Sequence, residues 1–185
     1  AAANPGDGGV LVALLLHRVR LAPGEALYLP AGCPHAYLHG TGVEIMASSD
    51  NVLRGGLTEK HVDVDELLRI LDTTPGVVHV LRQVPSSAGA VFEVAVSDFA
   101  LSMLHLDEGP YDLPSGVPQI LLTLEGCAIL TQPGSEIDLP RGGAAFVGAH
   151  EPGPHVSGSG LVAVATTGRP VAGAAGDGAA GDGAR

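Results

Sequence analysis

The sequence predicts a mainly β protein built as a sandwich or barrel. Three observations carry this. Short apolar or alternating runs recur along most of the chain. Gly and Pro stand between them. Only one segment has a clear helical pattern. With 27 Gly and 14 Pro in 185 residues, turns are frequent enough to separate that many strands.

Each element follows from its own pattern. Residues 14–21, 26–29 and 43–46 are apolar or alternating runs bounded by Gly and Pro, and are predicted strands. Further strands are predicted over 77–81, 92–96, 100–106, 119–124, 127–131, 144–147 and 161–166, with Glu125-Gly126 read as the turn between two of them. The helix is predicted over 62–71. Its acids sit at the front, where Asp63 or Asp65 can cap free N–H groups and negative charge suits the helix N-terminus. Thr73-Thr74-Pro75-Gly76 ends it. The expected organisation is therefore a first domain over 1–73 with its linking helix, and a second β domain over 74–170. A tail over 171–185 repeats Gly-Asp-Gly-Ala and is too poor in apolar surface to order itself.

Composition removes several function classes. Nine basic against 20 acidic residues give a net charge of −11 and a pI near 4.9, so no basic stripe is left for nucleic acid. Aromatics are 3% with no Trp, which argues against a base-stacking platform. The apolar run 10–16 is broken by His17-Arg18 and is too short to span a bilayer, so no membrane role is expected. Two cysteines in separate segments, Cys33 and Cys127, suit a reducing cytoplasmic setting.

An internal echo links the two halves. Leu21-Ala-Pro-Gly24-Glu-Ala26-Leu-Tyr-Leu29-Pro-Ala31 resembles Leu139-Pro-Arg-Gly142-Gly-Ala144-Ala-Phe-Val147-Gly-Ala149, and Gly40 and Gly42 map at the same offset onto Gly158 and Gly160. Two copies of one β motif are expected, although any Gly-turn-strand unit shares some of this pattern.

The segment that points to chemistry is Gly24-x5-Pro30-x-Gly32-x2-His35. It reads as a turn, a strand and a tight Pro/Gly turn that presents His35 inward from the next strand. A neutral imidazole there suits a metal ion, while the plain alternative is a surface or hydrogen-bonded His. The spacing resembles the second motif of the cupin superfamily, whose fold is a β jelly roll and whose motif His commonly binds metal. His39 stands where that motif usually has Asn.

More specific pieces follow: Pro34-His35-Ala36-Tyr37-Leu38, Val43-Glu44-Ile45-Met46-Ala47, Ser49-Asp50-Asn51-Val52-Leu53-Arg54-Gly55-Gly56-Leu57-Thr58 and Lys60. With Pro5-Gly6-Asp7 upstream, they resemble the type I mannose-6-phosphate isomerase (phosphomannose isomerase) family. The likeness runs over about residues 4–170 and is strongest over 21–70.

The resemblance implies a cupin-type jelly roll, part of a catalytic roll followed by a second, degenerate cupin-like domain. It implies interconversion of mannose 6-phosphate and fructose 6-phosphate, a hexose 6-phosphate substrate and one zinc ion. The family holds that zinc with a QxH pair, a Glu of an HKPE-like motif and the His of the HAYL motif. Only the last has a counterpart here, at His35; no Gln is followed two residues on by His, and there is no Lys-Pro-Glu. The remaining ligands are then expected upstream, in an N-terminal part of the same enzyme, and the chain alone is expected to bind zinc weakly and isomerise nothing.

Arg54 is the expected catalytic residue, a permanent cation suited to an enediolate's developing negative charge. Its alternative is a salt bridge to Asp50 or Glu44. Tyr37, Glu44, Asp50 and Lys60 are the expected substrate-binding residues. Lys60, the only lysine, could meet the phosphate or be a solvated loop charge. Glu44 and Asp50 could transfer protons or fix Arg54; both roles stay open. Glu59 replaces the family's usual Pro before this lysine. In the second copy the position equivalent to His35 is Gly153, and His79, His105, His150 and His155 are scattered, so no chemistry is expected there. The rival reading for the whole chain is a non-catalytic sugar-binding or regulatory cupin module.

Overall fold

The computed structural model describes residues 5–49 and 52–168. Asp50 and the tail expected over 171–185 lie outside the described residues. The chain divides into two compact units, Ala1–Val84 and Pro85–Arg185.

The first unit holds little regular structure. Its first element is a helix, α1 (Gly9–Leu15), where a strand over 14–21 was expected. The run Val10–Leu16 is apolar at almost every position, so it satisfies helical and strand periods alike. Strand β1 (Glu25–Leu27) pairs antiparallel with β2 (Val80–Arg82), placing Glu25 opposite Arg82, whose guanidinium lies 3.3 Å from the Glu25 carboxylate. Residues 43–46 form no strand, because no described strand lies alongside to complete a ladder. Between β1 and β2 lies α2 (Val64–Ile70). Asp63 caps it, accepting from the Glu66 amide at 3.0 Å, as the acid-first pattern predicts.

The second unit carries an eight-stranded sheet. In chain order its strands are β3 (Val84–Ser86), β4 (Gly89–Val91), β5 (Ala100–His105), β6 (Tyr111–Asp112), β7 (Gln119–Gln132), β8 (Ser135–Pro140), β9 (Ala144–Val147) and β10 (His155–Thr166). The main path runs β3-β4-β5-β10-β7-β8, with β6 on β10 and β9 on β7. The strand expected over 92–96 is absent; β4 stops at Val91. Leu104, Leu121, Val156 and Val162 are fully buried and head one cluster that also takes Leu106, Leu113, Leu130, Leu139 and Val147. Each such side chain contributes about 1.5–3 kcal/mol relative to exposure.

The expected turn at Glu125-Gly126 lies instead within the single long strand β7, where both residues pair with β10 and a bulge at Leu124 precedes them. The register against β10 shifts between Leu161 and Val162, which pair with Glu125 and Thr123. The buried positions change phase there, from Gln119, Leu121 and Thr123 to Ala128 and Leu130. One extra residue moves the side-chain alternation to the other face, so a strand can continue while exchanging which residues it buries.

The internal echo is matched in the backbone at two glycine pairs and not at a third, since Gly160 has a positive φ of 93° and Gly42 does not. Gly24 and its match Gly142 have φ of 83° and 81°, and Gly40 and Gly158 have 122° and 121°.

Candidate functional site

His35 follows a turn that two contacts hold. The Cys33 amide donates to the Pro30 carbonyl at 3.3 Å, and the Asp72 amide, just past α2, donates to the Gly32 carbonyl at 3.0 Å. Gly32 has φ 79°, and a Cβ there would sit 2.8 Å from the Ile70 carbonyl oxygen, so this turn needs glycine to meet the helix end. The expected turn is present, but the strand expected after it is not, and His35 is exposed rather than directed inward. Its Nδ1 lies 3.1 Å from the Cys33 carbonyl oxygen. A proton on Nδ1 would leave Nε2 as the free electron pair.

Three of the expected residues meet. The His35 and Tyr37 rings are edge to face, centroids 6.2 Å apart. The Glu44 carboxylate is the other group that acts on the Tyr37 hydroxyl. Partial desolvation, then the negative charge and hydrogen bonding of Glu44, hold the Tyr37 phenol above its ordinary value of 10.0.

The other expected residues stand apart from that trio. Arg54 is exposed, and among the described residues no carboxylate pairs with it, Glu44 included. Lys60 is exposed too, and its backbone N–H donates to the Thr58 hydroxyl at 3.1 Å. An open depression lined by Met46, Ala47, Ser48 and Ser49 lies on the stretch between Glu44 and Arg54.

The segment carrying Arg54 is secured by a residue to which sequence reasoning gave no role. Asp7 Oδ1 accepts from the Gly9 amide and Oδ2 from the Leu57 amide, each at 2.7 Å. Leu57 has φ 55°, the only positive value among described non-glycine residues. A leucine there costs about 1–2 kcal/mol. Pro5-Gly6-Asp7 stood within the family likeness, but nothing in its spacing announces a partner fifty residues on.

A catalytic zinc takes three protein ligands. Among the described residues no three His, Cys, Asp or Glu side chains are grouped to hold a metal, and His35 supplies one donor. The donor set of this chain does not by itself fit zinc.

In the second unit, Gly153 stands at the position matching His35. A Cβ there would lie 1.9 Å from the Leu113 carbonyl oxygen, so no side chain fits. His79, His150 and His155 are exposed, and His155 Nδ1 is 2.7 Å from Asp112 Oδ1.

No family profile matches the chain. Individual proteins do. Mannose-6-phosphate isomerase of Salmonella typhimurium is 40% identical over 161 residues, covering 86% of this chain and 41% of that protein. The Escherichia coli protein of the same name is 39% identical over the same coverage, and the human one 35% over 80% of this chain and 37% of its own length. The match lies in the C-terminal part of these relatives, and the chain spans about two fifths of their length. Among solved structures, the Salmonella typhimurium mannose 6-phosphate isomerase bound to fructose 6-phosphate and zinc superimposes with a TM-score of 0.77. It is 38% identical, and the match covers 89% of this chain and 43% of that one. The apo form of that enzyme gives the same score. The fold shared with these neighbours is the cupin type, as the β pattern and the His35 motif predict.

Proposed function

We propose that this chain is the C-terminal portion of a zinc-dependent mannose-6-phosphate isomerase that interconverts mannose 6-phosphate and fructose 6-phosphate. The observation that carries the reading is the match, in fold and at 38% identity, to an enzyme solved with fructose 6-phosphate and zinc. The HAYL and Arg54 segments lie in the part of the sequence where the family likeness is strongest.

The reaction moves a proton between C1 and C2 of the sugar and passes through an enediol or enediolate. Arg54, always protonated, is the group suited to the negative charge that develops on its oxygens. Lys60 is a compact cation for the 6-phosphate. Tyr37 and Glu44, which act on each other electrostatically, and Asp50 complete the binding side of the pocket. With one donor in hand, no step is assigned to zinc: His35 is proposed as one ligand, and the rest of the enzyme, the partner of this chain, as the source of the others. A cytoplasmic setting fits two unpaired cysteines. No helix among the described residues is long and apolar enough to cross a membrane.

The test is a coupled isomerase assay with mannose 6-phosphate, with zinc analysis, on the intact gene product beside the 185-residue chain. The gene product is expected to turn over and retain zinc, and the chain alone to do neither. Arg54→Ala in the gene product is expected to lower kcat by roughly 10²–10³-fold. Normal turnover by the 185 residues alone refutes their incompleteness, and near-normal turnover by Arg54→Ala refutes the role of the arginine. A gene product that binds hexose phosphate without isomerising it points instead to a sugar-binding cupin.

A further inference from the structure

Asp7 links two segments that the chain separates widely. Its Oδ1 takes the Gly9 amide at the start of α1, and its Oδ2 takes the Leu57 amide, three residues past Arg54, both at 2.7 Å. A helix cap alone would use one oxygen and need no distant partner.

The second bond coincides with unusual backbone. Leu57 sits at φ 55° directly after Gly56 at φ 119°. A β-region leucine would turn its N–H elsewhere, so the strained conformation and the carboxylate contact occur together. The approach is close enough to exclude side chains. A Cβ on Gly9 would lie 3.1 Å from the Gly56 Cα, and one on Gly56 would lie 3.0 Å from the Gly9 Cα and 2.8 Å from Asp7 Oδ1. Two facing glycines let the carboxylate bridge the gap.

We propose that Asp7 is a positioning residue for Arg54: by clamping the Gly56-Leu57 backbone it fixes where the guanidinium segment leaves the fold. The catalytic consequence rests on the isomerase reading above; the clamp itself does not. An oxyanion stabiliser gains its effect from being placed before the charge appears. A misplacement near 1 Å can cost roughly 100-fold. A loop with no regular structure has few other means of holding that position.

Asp7→Asn isolates the clamp. The amide keeps size and one acceptor oxygen, but turns an NH2 toward one of the two N–H donors. The experiment compares the gene product, Asp7→Asn, and Asp7→Asn with Leu57→Gly, which relieves the left-handed strain and keeps the amide. Hydrogen exchange is read at residues 54–57, with kcat, KM and the melting midpoint.

In Asp7→Asn, exchange across 54–57 is expected to rise at least about tenfold while β7 and β10 stay protected. kcat is expected to fall roughly 10- to 100-fold with KM within about threefold. Adding Leu57→Gly is expected to recover the melting midpoint but not kcat. Unchanged exchange at 54–57 overturns the proposal. So does a kcat within about twofold of the parent, or a kcat that returns with the melting midpoint, which marks a merely structural contact. A parent protein that isomerises nothing refutes the isomerase reading instead. Exchange then decides the clamp: faster at both Arg54 and Leu57 supports it, and at Leu57 alone or at neither overturns it.

Discussion

Tyr37 touches two of its motif neighbours, the edge of the His35 ring and the Glu44 carboxylate. Its phenol is held above 10.0, first by partial desolvation and then by the charge and hydrogen bond of Glu44. The folded value lies above the unfolded one. The stability this contact contributes is therefore present below about pH 10 and is lost as pH rises through the folded midpoint. Tyr37 is expected to ionise above its ordinary value in an absorbance titration, and Glu44→Gln is expected to bring it partway back. The desolvation part should remain, and no movement on Glu44→Gln would show that the carboxylate contact is not made in solution. Tyr37 was legible as a site residue from its motif, but its contact with the His35 ring is made in a stretch with no strand. Asp7 was not legible as a partner of Leu57. A carboxylate–amide contact across fifty residues depends on tertiary closure, and no local period encodes it.

At the level of elements, the clearest sequence patterns produced the closest agreement. Strand β9 occupies the expected residues 144–147, β5 begins at the expected Ala100, and the Asp63 cap starts α2. These segments have one unambiguous period and a definite stop. Helix α1 and the β7 bulge went unread for opposite reasons. The first has apolar residues at too many positions to select a period. The second is followed by a Glu-Gly pair that looks like a turn unless the partner strand is known. Near the bulge, Thr123 is buried and its hydroxyl has no hydrogen-bond partner, while its backbone N–H and C=O pair with Gly143 and Gly142. Thr123→Val keeps the shape and removes the orphaned hydroxyl, and is expected to raise stability by about 1 kcal/mol. Thermal unfolding checks this; a loss of similar size would mean that the hydroxyl is satisfied in solution.

Across the whole molecule, burial is unequal. No described residue from 5 to 84 is buried, whereas the core of the second unit draws on β5, β7, β8, β9 and β10. In the 185-residue chain, slow hydrogen exchange is therefore expected along β5, β7 and β10, with residues 5–84 exchanging fast. Comparable protection over 5–84 would show that this unit is stabilised by something other than apolar burial. The two segments joined by the sequence echo also differ in what they permit. In one, a turn of glycine and proline delivers an imidazole; in the other, a Cβ at Gly153 would run into the Leu113 carbonyl, and the Gly153 N–H donates to the Ser115 hydroxyl. Anyone grafting histidine onto position 153 would find it blocked by main chain. The stretch 113–115 would first have to be redesigned to stand further off, so what bars a side chain at 153 is the neighbouring backbone and not merely the choice of residue.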